Sequence, residues 1–249
     1  VIMKIVVIQF IYGGVAPAAA FSQLQLANHC GVNRIPLVLS PYGGDALISR
    51  SRSRVLSRFL AEKKGDVLLM LDHDIQFAPE DAVGVCELAV REQCVAAAGY
   101  PWRTASKAGW GGRLPTGKLP IVGQDEVVDA TYLGSGFMAV SIVAAEKTLA
   151  ACLNHADANM KLTACDEPVG SPQKTFWDFF RCFVHKQADG RNEYLSEDWA
   201  FCERARFAGV PIRLWLKPQL RHYGDHGFVL PNQPPVVVPE KPKEEPVPA

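Results

Sequence analysis

The sequence predicts an α/β domain with a mostly parallel central sheet flanked by helices. Two observations carry this. Short, β-rich apolar runs alternate with helix-length amphipathic stretches along most of the chain. The one stretch that cannot build a core, rich in proline and charge, is confined to the end after Leu230.

Six runs have the composition of buried strands: Lys4 to Phe10, Pro36 to Ser40, Val67 to Asp72, Val95 to Tyr100, Phe137 to Ser141 and Ile212 to Leu216. Between them, Ser53 to Lys64 sets Val55, Leu56, Phe59 and Leu60 on one helical face, and Gly65 supplies a stop. A helix from Pro79 to about Arg91 opens with proline and two acids, as helix starts prefer. A third runs from Ser196, its N-cap, to Phe207, and ends at Gly209 and Pro211. Two long stretches break the rhythm, Trp102 to Gln124 and Asn154 to Asn192, and loops of that length in a compact domain are usually lids, binding loops or disorder. The elements outline a single domain over residues 1–230 followed by a flexible tail over 231–249.

Composition narrows the function. Hydrophobic residues make up 48% of the 249 and charged ones 21%, with 26 basic side chains against 26 acidic. A nucleic-acid partner is not expected, because the one dense basic cluster is Arg50, Arg52, Arg54 and Arg58. Seven scattered cysteines without CxxC spacing read as reduced thiols of a cytoplasmic protein. No apolar run reaches the roughly 18 residues of a membrane span.

Chemistry concentrates in three segments. In GDVLLMLDHDIQFAPED a buried strand runs into Asp72, His73 and Asp74. Carboxylates two apart on an extended chain share a side, so Asp72 and Asp74 are placed to face one divalent cation at the carboxyl end of a strand. Acids after a strand also serve as solvated turn residues, but the buried strand before this pair and the helix after it favour the metal. In EYLSEDWAF, Glu197 and Asp198 open a helix, where the dipole stabilises them and where a carboxylate can take a proton from a hydroxyl. LRHYGDHGF offers His222 and His226, and one imidazole with carboxylates suits Mn²⁺. Two weaker elements remain. The ISRSRSR run offers guanidinium groups to a diphosphate or forms a solvated helix face, and Gly134 and Gly136 allow either close approach of a ligand or a tight turn.

Taken in order, these segments resemble the GT-A glycosyltransferases, in particular their small bacterial and phage members. That family shows I-x-x-A-R-N before a helix, then DxD after an apolar strand, G-x-G-F, an ED helix and H-x-G. Here they read Ile48 to Ser53, Asp72-His73-Asp74, Gly134-Ser135-Gly136-Phe137, Glu197-Asp198 and His222-Tyr223-Gly224. The resemblance covers about Lys4 to Phe228 and implies a donor-binding part over about 1–100 and an acceptor and catalytic part over about 101–230. It implies that Asp74 holds Mn²⁺ or Mg²⁺, with Asp72 touching the ribose or the metal through water. His222 would be the third ligand, ahead of His226, which does not fit H-x-G. Arg52 would meet the nucleotide or its phosphates, with His73 also on the donor side, and Gly134, Ser135 and Gly136 would border the sugar. Asp198 would be the base of an inverting reaction, with Glu197 beside it. The donor implied is a uridine diphosphate sugar such as UDP-glucose, and the acceptor a carbohydrate or other hydroxyl. Ser51 and Ser53 depart from the family's alanine and asparagine.

Two other classes share parts of this pattern. A nucleotidyltransferase acting on sugar phosphates joins a nucleotide site to a carboxylate pair but releases pyrophosphate, and no glycine-rich loop with an embedded lysine lies near the start. A silent nucleotide-sugar-binding module has no evident use for the ED carboxylates.

Overall fold

A computed structural model describes residues 3–103, 109–171, 173–187 and 189–224, and the backbone of 227–228. The tail over 231–249 and His226 lie outside the described residues.

The element order is β1 (Ile5–Ile11), α1 (Pro17–Val32), β2 (Leu37–Gly43), α2 (Ile48–Glu62), β3 (Val67–Asp72), β4 (Ile75–Gln76), α3 (Pro79–Glu92) and β5 (Val95–Ala98). Next come β6 (Val127–Asp129), β7 (Phe137–Ser141), α4 (Ile142–Cys152), β8 (Ala164–Asp166), β9 (Thr175–Trp177), β10 (Phe183–Lys186) and β11 (Asn192–Leu195). The chain continues through α5 (Glu197–Phe207), β12 (Ile212–Trp215), β13 (Arg221–Tyr223) and β14 (Gly227–Phe228). All six expected strands are present within a residue or two at each end, apart from β2, which runs on to Gly43.

The main sheet has seven strands in the order β2-β1-β3-β7-β5-β12-β6. β1 pairs parallel with β2 and β3, and β5 with β12, whereas β7 is antiparallel to β3 and β5, and β6 to β12. Five strands therefore run one way and two the other, a mixed but largely parallel sheet. Its strands alternate between two cores, as a period of two requires. Val67, Leu69 and Leu71 of β3 join Leu26 of α1 and Val83, Val85 and Cys86 of α3. Leu68 and Met70 join Val55 and Leu56 of α2, Ala144 of α4 and Phe201 of α5. The result is a three-layer α/β/α domain. Among the described residues no helix is long and apolar enough to cross a membrane.

Helix ends differ from the sequence reading for local reasons. α2 begins five residues before Ser53, because Asp45 accepts the Leu47 N–H at 3.0 Å and the Arg50 guanidinium, organising the first turn. It ends at Lys63, which takes the left-handed conformation at φ 48°, and not at Gly65. Gly65 answers a packing need, since a Cβ there would lie 2.7 Å from Val6 Cγ2. At α5, Ser196 occupies the N-cap position, but its hydroxyl bonds the Asp198 carboxylate and caps no helix N–H. Gly209, at φ 70°, follows the end of the same helix.

The second irregular stretch is pinned to the core. Arg204, fully buried on α5, donates to the carbonyls of Asn159, Phe179 and Arg181 at 2.7, 3.0 and 2.9 Å. From α2, Ser57 bonds the backbone of Trp177, and Ser53 accepts the Phe180 N–H at 3.0 Å. Ser53, where the chain departs from the expected asparagine, thus anchors the segment between α4 and α5. Trp110, Phe176, Phe179 and Phe180 are core residues, and Trp102 is half-exposed.

Candidate active site

The site forms where the apolar strand β3 meets water. Val67 to Leu71 are buried, and the first polar residue, Asp72, sits at the carboxyl end with its N–H bonded to Gly136 O at 2.9 Å. His73 and Asp74 turn the chain into β4. The extended geometry expected of Asp72 and Asp74 is therefore broken by a turn, and the two carboxylates meet different partners. Asp72 Oδ1 lies 2.6 Å from Arg52 Nη2, while Asp74 Oδ2 lies 2.8 Å from Arg103 Nη1 and Oδ1 lies 3.4 Å from His222 Nε2.

His222 is delivered by the small sheet β14-β13-β4, in which it stands opposite Ile75. Its Nδ1 is 2.8 Å from Pro101 O, and its ring meets Tyr100 edge-on. Asp74 is buried, and its Oδ1 has no hydrogen-bond partner among the described residues. Burial works to raise the Asp74 carboxyl, but His222, Arg103 and His73 outweigh it and hold the pKa below the usual carboxylate value. The sequence-predicted pair Asp74 and His222 is thus brought together. Among the described residues no group of three or more His, Cys, Asp or Glu side chains clusters as a metal ligand set.

Arg52 is buried between Asp72 and Glu197, with Glu197 Oε1 2.7 Å from Nη1 and the Phe10 ring beneath the guanidinium. This ties the end of β3 to the first turn of α5. The next residue, Asp198, accepts the Trp199 N–H at 2.8 Å and the Ser196 hydroxyl. Burial, then the adjacent Glu197 charge, pushes its carboxyl up to about 6, against the pull of Ser196 and Arg52. A carboxylate with that pKa is matched to proton transfer near neutral pH.

Tyr100 is the residue that motif reading missed. Its phenol accepts the Gly136 N–H at 2.9 Å. Burial and the charges of Asp72 and Asp198 push it far above the ordinary phenol value, so it keeps its proton. A Cβ at Gly136 would sit 2.8 Å from Asp72 Oδ2 and 2.9 Å from the phenol oxygen, and one at Gly134 would also strike that oxygen. The glycines of the G-S-G segment are therefore required by the protein's own tyrosine and aspartate. Between them, Ser135 is buried with a hydroxyl that has no partner among the described residues. The signal for Tyr100 was its place just past a buried strand, where open α/β sheets gather function.

No family model matches the chain, and no curated protein does. Among solved structures, the protein A197 from STIV matches with a TM-score of 0.53 over 90% of this chain and 87% of its own, at 17% identity. At that identity the likeness shows the fold alone, and that fold is the expected α/β domain. GalNAc-T7, solved with UDP, GalNAc and Mn²⁺, matches at 0.46 and 8% identity, over 93% of this chain and 45% of its own, so this chain spans less than half its length. A glycosyltransferase involved in glycosylation of the major capsid of PBCV-1 matches at 0.34 and 12% identity, over 63% and 70%.

Proposed function

We propose that this chain is a divalent-cation-dependent glycosyltransferase that moves a sugar from a uridine diphosphate sugar to an acceptor hydroxyl with inversion. The observation that carries the reading is the Arg52 bridge, which ties Asp72, two residues from Asp74, to Glu197, next to Asp198. A cation-binding end and a base-bearing end are thereby joined in one site on the expected fold.

Asp74 and His222 would hold Mn²⁺ or Mg²⁺. The orphaned Asp74 Oδ1 facing a ring nitrogen is a donor set that suits such an ion. When bound there, the ion supplies Lewis acidity to the departing diphosphate. Asp72 and His73 line the nucleotide side, and the Gly134 to Gly136 segment, with the free Ser135 hydroxyl, borders the sugar. Asp198 takes the proton of the acceptor hydroxyl as its oxygen bonds the anomeric carbon and the bond to the diphosphate breaks. Glu197, held by Arg52, keeps a negative charge beside Asp198 and so helps to keep the base's affinity for that proton high.

The test is a thermal-shift panel of nucleoside diphosphates with Mn²⁺ or chelator. A ligand of the folded state at about 100 times its dissociation constant adds roughly 2.7 kcal/mol. Stabilisation by UDP that requires both Mn²⁺ and Asp74 is expected, with Asp74→Ala as the control. No response to any nucleotide contradicts the proposal.

A further inference from the structure

The site holds two arginines of opposite character. Arg52 has a side chain only 4% exposed and is locked by two carboxylates. Arg103, just past β5, has a side chain 52% exposed and a single ion-pair partner among the described residues, Asp74 Oδ2 at 2.8 Å. Half of the Arg103 side chain stands in water, so its pairing with one carboxylate oxygen is weakened by solvent screening.

The other face of Asp74 is a different environment. His222 Nδ1 lies 2.8 Å from the Pro101 carbonyl, a contact that holds the ring with Nε2 toward Asp74. Nε2 lies 3.4 Å from Asp74 Oδ1, a buried atom with no hydrogen-bond partner among the described residues. A ring nitrogen and a carboxylate oxygen so placed would suit a divalent ion as two of its donors. Asp74 therefore attracts cations on two sides, and charge donated to a guanidinium on Oδ2 is lost to a metal on Oδ1.

From these contacts we infer that Arg103 competes with the divalent cation for Asp74 and, once displaced, becomes the guanidinium that binds the donor's diphosphate. The inference rests on the metal role of Asp74 proposed above. It moves the phosphate contact from Arg52, whose two terminal nitrogens are taken by Asp72 and Glu197, to Arg103, whose planar fork and solvent exposure suit a diphosphate. The cation and the nucleotide then act in sequence on one side chain: the first frees it and the second captures it.

The experiment uses the full chain and two readouts. Mn²⁺ affinity is measured by loss of the free-ion electron paramagnetic resonance signal, and UDP affinity by calorimetry at saturating Mn²⁺. For Arg103→Gln, Mn²⁺ should bind about three- to fivefold tighter, while UDP should bind about tenfold more weakly. Effects of opposite sign from one substitution distinguish this exchange from a structural role, which moves both affinities the same way. Unchanged or weakened Mn²⁺ binding by Arg103→Gln, with the wild type binding Mn²⁺ through Asp74 as judged by Asp74→Asn, overturns the inference and leaves the proposed function standing. Absence of Mn²⁺ binding by the wild type overturns the metal reading beneath it.

Discussion

Arg52, in the second turn of α2, and Glu197, the first residue of α5, lie 145 residues apart in sequence and 2.7 Å apart in the fold. The same guanidinium holds Asp72 at 2.6 Å, so one buried cation satisfies two carboxylates that would otherwise repel. Removing one partner of a buried pair strands the charge of the other, which typically costs about 3 kcal/mol or more. Arg52→Met is expected to lower unfolding free energy by about that amount in a urea titration. Arg52→Lys keeps the charge but loses the fork that reaches both acids, and it should fall between Met and wild type.

Asp198 gives the site its pH dependence. Its carboxyl is raised to about 6, chiefly by burial and next by Glu197. The folded protein thus holds this proton more tightly than the unfolded chain. The contribution to stability is fully present below about pH 4 and is lost as pH rises through about 6. Asp198→Asn should be more stable than wild type at pH 8 by up to roughly 3 kcal/mol, with the difference gone near pH 4. Its transfer activity should be abolished, while wild-type activity rises with pH through about 6 and then levels. Paired denaturation and rate profiles across pH 4 to 8 check both halves.

The glycine segment makes a third case. A Cβ at Gly134 runs into the Tyr100 phenol and lies 2.8 Å from Gly111 O. Overpacking of this kind costs about 1–3 kcal/mol. Gly134→Ala should be destabilised by that much, and adding Tyr100→Phe should recover part of it, because the phenol oxygen is one of the two obstacles. A double-mutant cycle on melting data measures the coupling.

Much of this was legible in the sequence, for physical reasons. The strands were readable because each is a short, nearly continuous apolar run, and Val67 to Leu71 ending at Asp72 marks where the sheet meets water. Asp74 and His222 meet as the motif order implied. α1 was not legible because Phe21 and Leu24 are exposed, 58% and 68%, which blurs its periodicity. α4 starts at the residue after β7, with Ser141 ending the strand and capping the helix, so no turn marks the junction. The turn that separates the Asp72 and Asp74 carboxylates, and the roles of Tyr100 and Arg103, depend on contacts between distant segments that spacing does not encode.

Arg204 tests how the stretch between α4 and α5 is held. Burial lowers its pKa to about 10, and its guanidinium bonds three carbonyls of that stretch. Arg204→Met should leave those carbonyls unpaired, at about 1–3 kcal/mol each when buried. Hydrogen exchange should show faster opening over residues 159–181 than over β1 or β3, whose amides stay protected.

The most direct test of the account is release of nucleoside diphosphate from nucleotide sugars, beginning with UDP-glucose, with Mn²⁺ present. The account predicts that the wild type releases UDP from one uridine diphosphate sugar, that Asp74→Ala and chelator abolish release, and that Asp198→Asn binds UDP normally yet fails to turn over. Release of pyrophosphate, or no release from any nucleotide sugar while the protein remains folded, would contradict it.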